Sequence, residues 1–201
     1  MKKINKIIIG TRNDGKFKEI CDLLPKNITK ISPRDLNLLS PDETGNTFEE
    51  NSKIKAEYFT KKTNLVAISD DSGLIIDLLS GAPGIYSSRW AGPTNDFNVA
   101  IEKIYNELKK IKFEWSKRKE IVARFISCLT LHWPNGKFIS STGIVEGRIS
   151  EIKKGTNGFG YDPIFIPSGY EKTFGELNPQ EKIKIDHRSK AFLKISNLFI
   201  N

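Results

Sequence analysis

A chain of 201 residues, 38% apolar and 28% charged, has the composition of a water-soluble globular protein. Its length suits one fairly large domain, residues 1–201, or one domain with two lobes around a cleft. No apolar run approaches the roughly 18 residues that span a bilayer, which excludes a transmembrane helix. The basic start Met1-Lys2-Lys3-Ile4 precedes only Ile7-Ile8-Ile9, too short for a secretion signal, so a cytoplasmic location is expected. The net charge of +8 fits non-specific affinity for nucleic acid or membrane, or attraction of a small polyanion. Lysines such as Lys53, Lys61 and Lys109 are scattered, so charge alone decides little. Cys21 and Cys128 form no metal-type pair and read as buried structural thiols.

Lys6–Thr11 reads as a buried first strand, and Arg12-Asn13-Asp14-Gly15-Lys16 as a turn. A helix follows, with Phe17, Ile20, Cys21 and Leu24 at i, i+3, i+4 and i+7; Asn13 or Asp14 caps it and Pro25 stops it. Lys16 then falls in the helix's first turn, where the dipole disfavours a cation. Either an anion such as phosphate shares the site, or Lys16 is a solvated side chain. Residues 27–31 suggest a short strand, and 32–46 a polar loop containing Glu43-Thr44-Gly45. Thr47-Phe48-Glu49-Glu50 has capping-box spacing and opens a helix to about Lys62, with Glu50 as the box acid.

The run Leu65-Val66-Ala67-Ile68 has strand composition and ends on Ser69-Asp70-Asp71-Ser72-Gly73. Carboxylates at the end of a buried strand are costly unless a metal, a cation or a substrate satisfies them. Strand alternation puts Ser69 and Asp71 on one face and Asp70 and Ser72 on the other. One aspartate should therefore point into a common site while the other supports it. Residues 74–79 should continue extended before the Gly/Pro turn at Gly81–Gly84. A helix is expected over 96–110, with Val99, Ile101, Ile104, Tyr105 and Leu108 apolar, then a polar linker over 112–119. Glu120–Trp133 and Lys137–Ile149 read as two long strands joined by Pro134-Asn135-Gly136.

Gly155-Thr156-Asn157-Gly158-Phe159-Gly160-Tyr161-Asp162-Pro163 is either a ligand loop, with two aromatics able to stack on a planar ring, or a glycine-rich corner with core aromatics. Asn178-Pro179-Gln180-Glu181 carries an N-cap, an N1 proline and a capping box. Asp186 should cap a last helix whose apolar face holds Ala191, Ile195, Leu198 and Phe199. Lys16, Lys182, His187 and Arg188 all fall near helix starts, which favours phosphate binding.

Taken in order, these stretches resemble the inosine/xanthosine triphosphate pyrophosphatase family over nearly the whole chain. The matching pieces are Thr11–Glu19, Glu43-Thr44-Gly45, Thr47–Asn51 with Lys55-Ala56, Asp70–Leu74, Gly81–Ser87, Gly158–Pro163, Glu181-Lys182 and His187-Arg188. The resemblance implies an α/β fold, with an elongated mixed central sheet flanked by helices and two lobes around an active-site cleft. It implies a homodimer and Mg²⁺-dependent hydrolysis of ITP, dITP and XTP to monophosphate and pyrophosphate, with no nucleic-acid or membrane partner. It places Thr11, Arg12, Asn13, Asp14, Gly15 and Lys16 along the triphosphate, Asp71 as proton acceptor and metal-linked carboxylate, Glu43 as a metal partner and Ser72 as a substrate contact. Phe159, Gly160, Tyr161 and Asp162 would hold the base, and Lys182, His187 and Arg188 would complete the base and phosphate contacts. Two departures stand out: Asp186 replaces the usual Ser before His-Arg, and Ser52 replaces the usual Ala after Glu-Asn. Rival readings are a pyrophosphatase for other damaged nucleotides, a basic nucleic-acid-binding protein, and a catalytically silent nucleotide sensor.

Overall fold

The computed structural model describes residues 4–111 and 120–199; the polar linker expected over 112–119 and the basic start Met1-Lys2-Lys3 lie outside the described residues. The strands are β1 (Lys6–Ile9), β2 (Thr29–Ile31), β3 (Val66–Ile76), β4 (Val122–His132), β5 (Phe138–Ile149) and β6 (Phe165–Pro167). The helices are α1 (Asp14–Leu23), α2 (Phe48–Thr63), α3 (Phe97–Lys110), α4 (Pro179–Lys182) and α5 (His187–Leu193). The strands form one sheet in the order β2-β1-β3-β4-β5-β6. β1 pairs in parallel with β2 and β3, whereas β5 and β6 are antiparallel, so the sheet is mixed, as expected.

The chain divides into two compact units. The first holds the described residues of Met1–Asp71, Ser127–Gly143 and His187–Asn201; the second holds those of Ser72–Ile126 and Ile144–Asp186. In the first unit, alternation sorts the side chains. Ile7, Ile9 and Ile68, with Leu129 and Leu131 of β4, pack against Ile20 and Leu24 from the α1 segment and Ala191 and Phe192 of α5. Ile8 and Ala67 face the other way, against Phe59 of α2. A parallel strand covered on both faces must be apolar throughout, which explains the unbroken isoleucine run of β1. Each such side chain contributes roughly 1.5–3 kcal/mol by leaving water. In the second unit, Leu74 and Ile76 of β3, Ile101, Ile104 and Leu108 of α3, and the Phe125, Phe165 and Phe174 rings share one core.

Several boundaries differ from the sequence expectation. β3 does not end at its carboxylates: it runs eleven residues to Ile76, so Asp70 and Asp71 lie mid-strand. Its pairing with β1 stops at Ile9↔Ile68, two residues before Asp70. Residues 77–79 are not extended but form a 3-10 turn, closed by Ser80 at φ 53°. Val99 is half-exposed because it falls outside the buried stripe of Ala100, Ile101, Ile104 and Leu108. The last helix ends at Leu193, and Ser196–Leu198 forms a separate 3-10 turn. Ser52, where the family's usual residue is Ala, is fully buried; its hydroxyl donates to the Glu49 carbonyl (3.0 Å) and lies 2.7 Å from Thr130 Oγ1. Both groups are satisfied, so the extra hydroxyl costs little.

After β1 the backbone must pass close under α2. A Cβ on Gly10 would lie 2.1 Å from Ser69 Oγ and 2.5 Å from Phe59 Cδ2. Gly10→Ala should therefore lower stability by about 1–3 kcal/mol through overpacking, read as a lower urea midpoint at an unchanged slope.

Candidate active site

Two polar clusters stand out, one in each unit. In the first unit β3 presents Asp70 to the α1/α5 face and Asp71 to the α2 face, as alternation requires. Asp70 Oδ1 accepts from Ser127 Oγ of β4 at 2.5 Å, while Oδ2 lies 3.0 Å from Lys16 Nζ of α1 and 3.2 Å from Arg188 Nη2 of α5. The Arg188 guanidinium, 1% exposed, also donates to the Glu19 carboxylate of α1. Burial alone would raise the Asp70 pKa, but Arg188, Lys16 and the Ser127 hydroxyl outweigh it and hold the carboxyl well below the usual carboxylate range.

Asp71 is in a different position. Its Oδ1 accepts from Lys55 Nζ of α2 at 3.1 Å, and Lys55 also donates to the Glu43 carboxylate. Asp71 Oδ2 is buried and has no hydrogen-bonding partner among the described residues. Burial raises the Asp71 pKa above the usual value despite the opposing pull of Lys55 and Lys16. Burial pulls the Lys55 pKa down, but Asp71 and Glu43 overcome it, so the ammonium stays charged. Two carboxylates sharing one ammonium leave a net negative site with an unused buried oxygen. That donor set fits a hard divalent cation whose remaining ligands are water or phosphate oxygens. Among the described residues no group of three His, Cys, Asp or Glu side chains is placed to hold a metal, so protein ligands alone would not enclose one.

The second cluster is held by the glycine-rich loop. Asp162, 2% exposed, accepts from Lys182 Nζ of α4 at 2.6 Å and from Phe159 N–H at 2.8 Å. Gly158 has φ +74°, and a Cβ there would sit 2.0 Å from Asp162 Oδ2, so the loop needs glycine at this turn. Lys182 Nζ also lies 5.2 Å from the Phe159 ring centroid. Of the two loop aromatics, Tyr161 is committed to the core. Its hydroxyl donates to Ser87 O at 2.8 Å and its ring meets Phe97 edge-on at 5.2 Å. The half-buried Phe159 ring is the one left with surface for a ligand.

A family model described as the Ham1 family matches residues 7–198. The chain belongs to the Ham1 family. It is 44% identical over 200 residues to the dITP/XTP pyrophosphatase of Agrobacterium fabrum, covering 94% of this chain and 92% of the relative. It is 41% identical to the dITP/XTP pyrophosphatase of Zymomonas mobilis, covering 94% and 90%. Among solved structures, a HAM1 protein from Coxiella burnetii superimposes with a TM-score of 0.83 at 36% identity, covering 96% and 97%. The nucleoside-triphosphatase / dITP/XTP pyrophosphatase of Mycobacterium abscessus gives 0.71 at 36% identity, covering 94% and 98%. The family drawn from the motifs is thus the one to which the whole chain belongs.

Within this Ham1-family chain, Lys16, Glu43, Asp71 and Arg188 fall into the first cluster, and Phe159, Asp162 and Lys182 into the second. Asn13 caps α1 by accepting from Lys16 N–H, and Thr11 Oγ1 accepts from Asn13 N–H, which shapes the 11–16 turn. Gly15 lies in the first helical turn. Arg12 offers its carbonyl to Arg34, and the exposed Asp14 pairs with Arg34 at 3.2 Å, so both face the loop after β2. Ser72 lies in β3, half-buried, in the second unit. His187 and Arg188 open α5 in the first unit, whereas Lys182 closes α4 in the second. The cations singled out near helix starts also have carboxylate partners: Lys16 and Arg188 meet Asp70, and Lys182, the last residue of the short α4, meets Asp162. Sequence reading missed Lys55 as a site residue. Its signal was position, since it falls one turn beyond Asn51 on a helix that faces Asp71.

Asp70→Asn removes the charge that balances Arg188 and Lys16, and should cost on the order of 3 kcal/mol at neutral pH. A depressed carboxyl pKa stabilises the fold above its unfolded value of about 3.9, and that stability is lost as pH falls through the folded value. The gap between wild type and variant should therefore close in acid, as measured by urea unfolding from pH 7 to pH 2.

Proposed function

We propose that this chain hydrolyses non-canonical purine nucleoside triphosphates, dITP, ITP and XTP, to the monophosphate and pyrophosphate. The observation that carries the reading is Asp71: a buried carboxylate with one unpartnered oxygen, beside Lys55 and Glu43, in a chain 44% identical to a dITP/XTP pyrophosphatase. In this reading Thr11 to Lys16 line the triphosphate, where the backbone amides at the α1 start and the Lys16 ammonium meet its charge. A water oxygen attacks the α-phosphorus, the bond to the bridging oxygen of the leaving pyrophosphate breaks, and the proton passes to Asp71. Magnesium, held by Asp71 and Glu43, would supply neutralisation of phosphate charge. Lys55 bridges the two carboxylates and orients them.

The base belongs to the second cluster. Phe159 offers a ring face, while Gly160, Tyr161, Asp162 and Lys182 hold the loop in shape. Donors facing the 6-keto oxygen of hypoxanthine or xanthine select against adenine, whose amino group would leave a donor unpaired. The reading includes one catalytic domain over 1–201, a homodimer, a cytoplasmic site of action, and no nucleic-acid or membrane partner. No described helix is long and apolar enough to cross a membrane.

The test is hydrolysis of ITP and ATP with and without Mg²⁺, with the products resolved. Mg²⁺-dependent release of pyrophosphate from ITP, well above that from ATP, is expected, and Asp71→Asn should lose at least about 100-fold in kcat. Orthophosphate as product, equal turnover of ATP, or an unaffected Asp71→Asn would overturn the reading. Phe159→Ala should raise KM for ITP while changing kcat less.

A further inference from the structure

The segment carrying Glu43 is loop, yet Glu43 must be held against Lys55 for the Asp71 cluster to exist. Two consecutive residues at the start of α2 reach back to that segment. Asn51 Oδ1 accepts from Gly45 N–H at 2.8 Å, and Glu50 Oε2 accepts from Asn46 N–H at 2.7 Å. The expected capping box is thus half-formed. Thr47 Oγ1 accepts from Glu50 N–H at 3.1 Å, but Glu50 reaches back one residue further, to Asn46.

The two acceptors differ in burial. Glu50 is exposed, whereas Asn51 is 1% exposed and packs so tightly that a Cβ on Gly45 would lie 2.8 Å from Asn51 Oδ1. Asn51 Nδ2 is buried without a hydrogen-bonding partner among the described residues. An unmet buried donor is costly, so a neutral acceptor of the same shape would serve the fold alone better. Aspartate would supply the acceptor without the spare donor, but it would add a negative charge to the face of α2 that meets the loop carrying Glu43. Asparagine is the residue that accepts from Gly45 and stays uncharged. It also stands one helical turn before Lys55, so one face of α2 holds both the loop and the ammonium that its glutamate meets.

We propose that Asn51 is a positioning residue for Glu43: by accepting from Gly45 N–H, it fixes the loop that brings Glu43 to Lys55 and the Asp71 cluster. The proposal rests on the reading of Glu43 and Asp71 as the metal-linked pair, and extends it to a residue that touches neither metal nor substrate. Partners that orient metal-binding side chains typically change metal affinity or activity by about 10–100-fold when removed.

The test compares wild type, Asn51→Leu, Asn51→Asp and Glu50→Ala in three readouts: Gly45 amide hydrogen exchange, Mg²⁺ affinity by calorimetry without nucleotide, and ITP turnover. Asn51→Leu should speed Gly45 exchange and weaken Mg²⁺ binding by about tenfold or more, with exchange in β1 and β4 unchanged. Asn51→Asp should keep Gly45 protected, because the acceptor remains. Glu50→Ala, which removes an exposed contact, should leave Mg²⁺ affinity within about twofold. Gly45→Ala disturbs the same contact from the loop side, and stands in if Asn51→Leu does not fold. Wild-type Gly45 exchange or wild-type Mg²⁺ affinity in folded Asn51→Leu or Gly45→Ala overturns the proposal. The parent reading fails differently, through a wild type that neither binds Mg²⁺ nor turns over ITP, and that outcome removes the role with it.

Discussion

In the first unit, four elements meet at one carboxylate. Asp70 on β3 accepts from Ser127 on β4, faces Lys16 from the first turn of α1, and meets Arg188 from the first turn of α5. A single buried charge of this kind is expensive unless its balance is complete, so each partner constrains the others. Arg188, itself buried, is balanced by Glu19 as well as Asp70, and this closes the set on α1. The start of α1, with its row of backbone amides, and the start of α5 are thereby fixed relative to β3.

Because Asp70 is taken up by that network, the proposed chemistry falls to its neighbour. Alternation along β3 turns Asp71 to the opposite face, where the α2 lysine and the loop glutamate stand. The two adjacent aspartates therefore experience opposite fields. Asp70 is flanked by two cations and a hydroxyl and is held ionised, whereas Asp71 shares one ammonium with a second carboxylate and burial pushes its pKa up. A carboxylate with a raised pKa and a spare buried oxygen is suited to accept a proton or a cation; one already satisfied on both oxygens is not.

Much of this was legible in the residues. The strand pattern of β1, the caps of α1, α2 and α4, the hairpin at 134–136 and the opposite facing of Asp70 and Asp71 follow from periodicity and local chemistry. What escaped was tertiary. Nothing local marks β3 as continuing through its carboxylates to Ile76, because the stabilising cations come from α1, α2 and α5. The same partners explain why cations at helix starts do not by themselves imply a ligand. Tyr161 reads as a stacking platform in a glycine-rich loop, and only the Ser87 carbonyl and the Phe97 ring reveal it as core. Lys55 and Asn51 look like ordinary helical positions until the loop that carries Glu43 folds back onto them.

The opposition between Asp70 and Asp71 can be read directly. In protein carrying ¹³C-labelled aspartate, assigned with the Asp70→Asn and Asp71→Asn variants, the side-chain carboxyl resonances are followed through a pH titration without metal. Asp70 should remain ionised well below the usual carboxylate range, and Asp71 should take up its proton above it. Titration of both near the ordinary aspartate value, or the reverse order, would contradict the account.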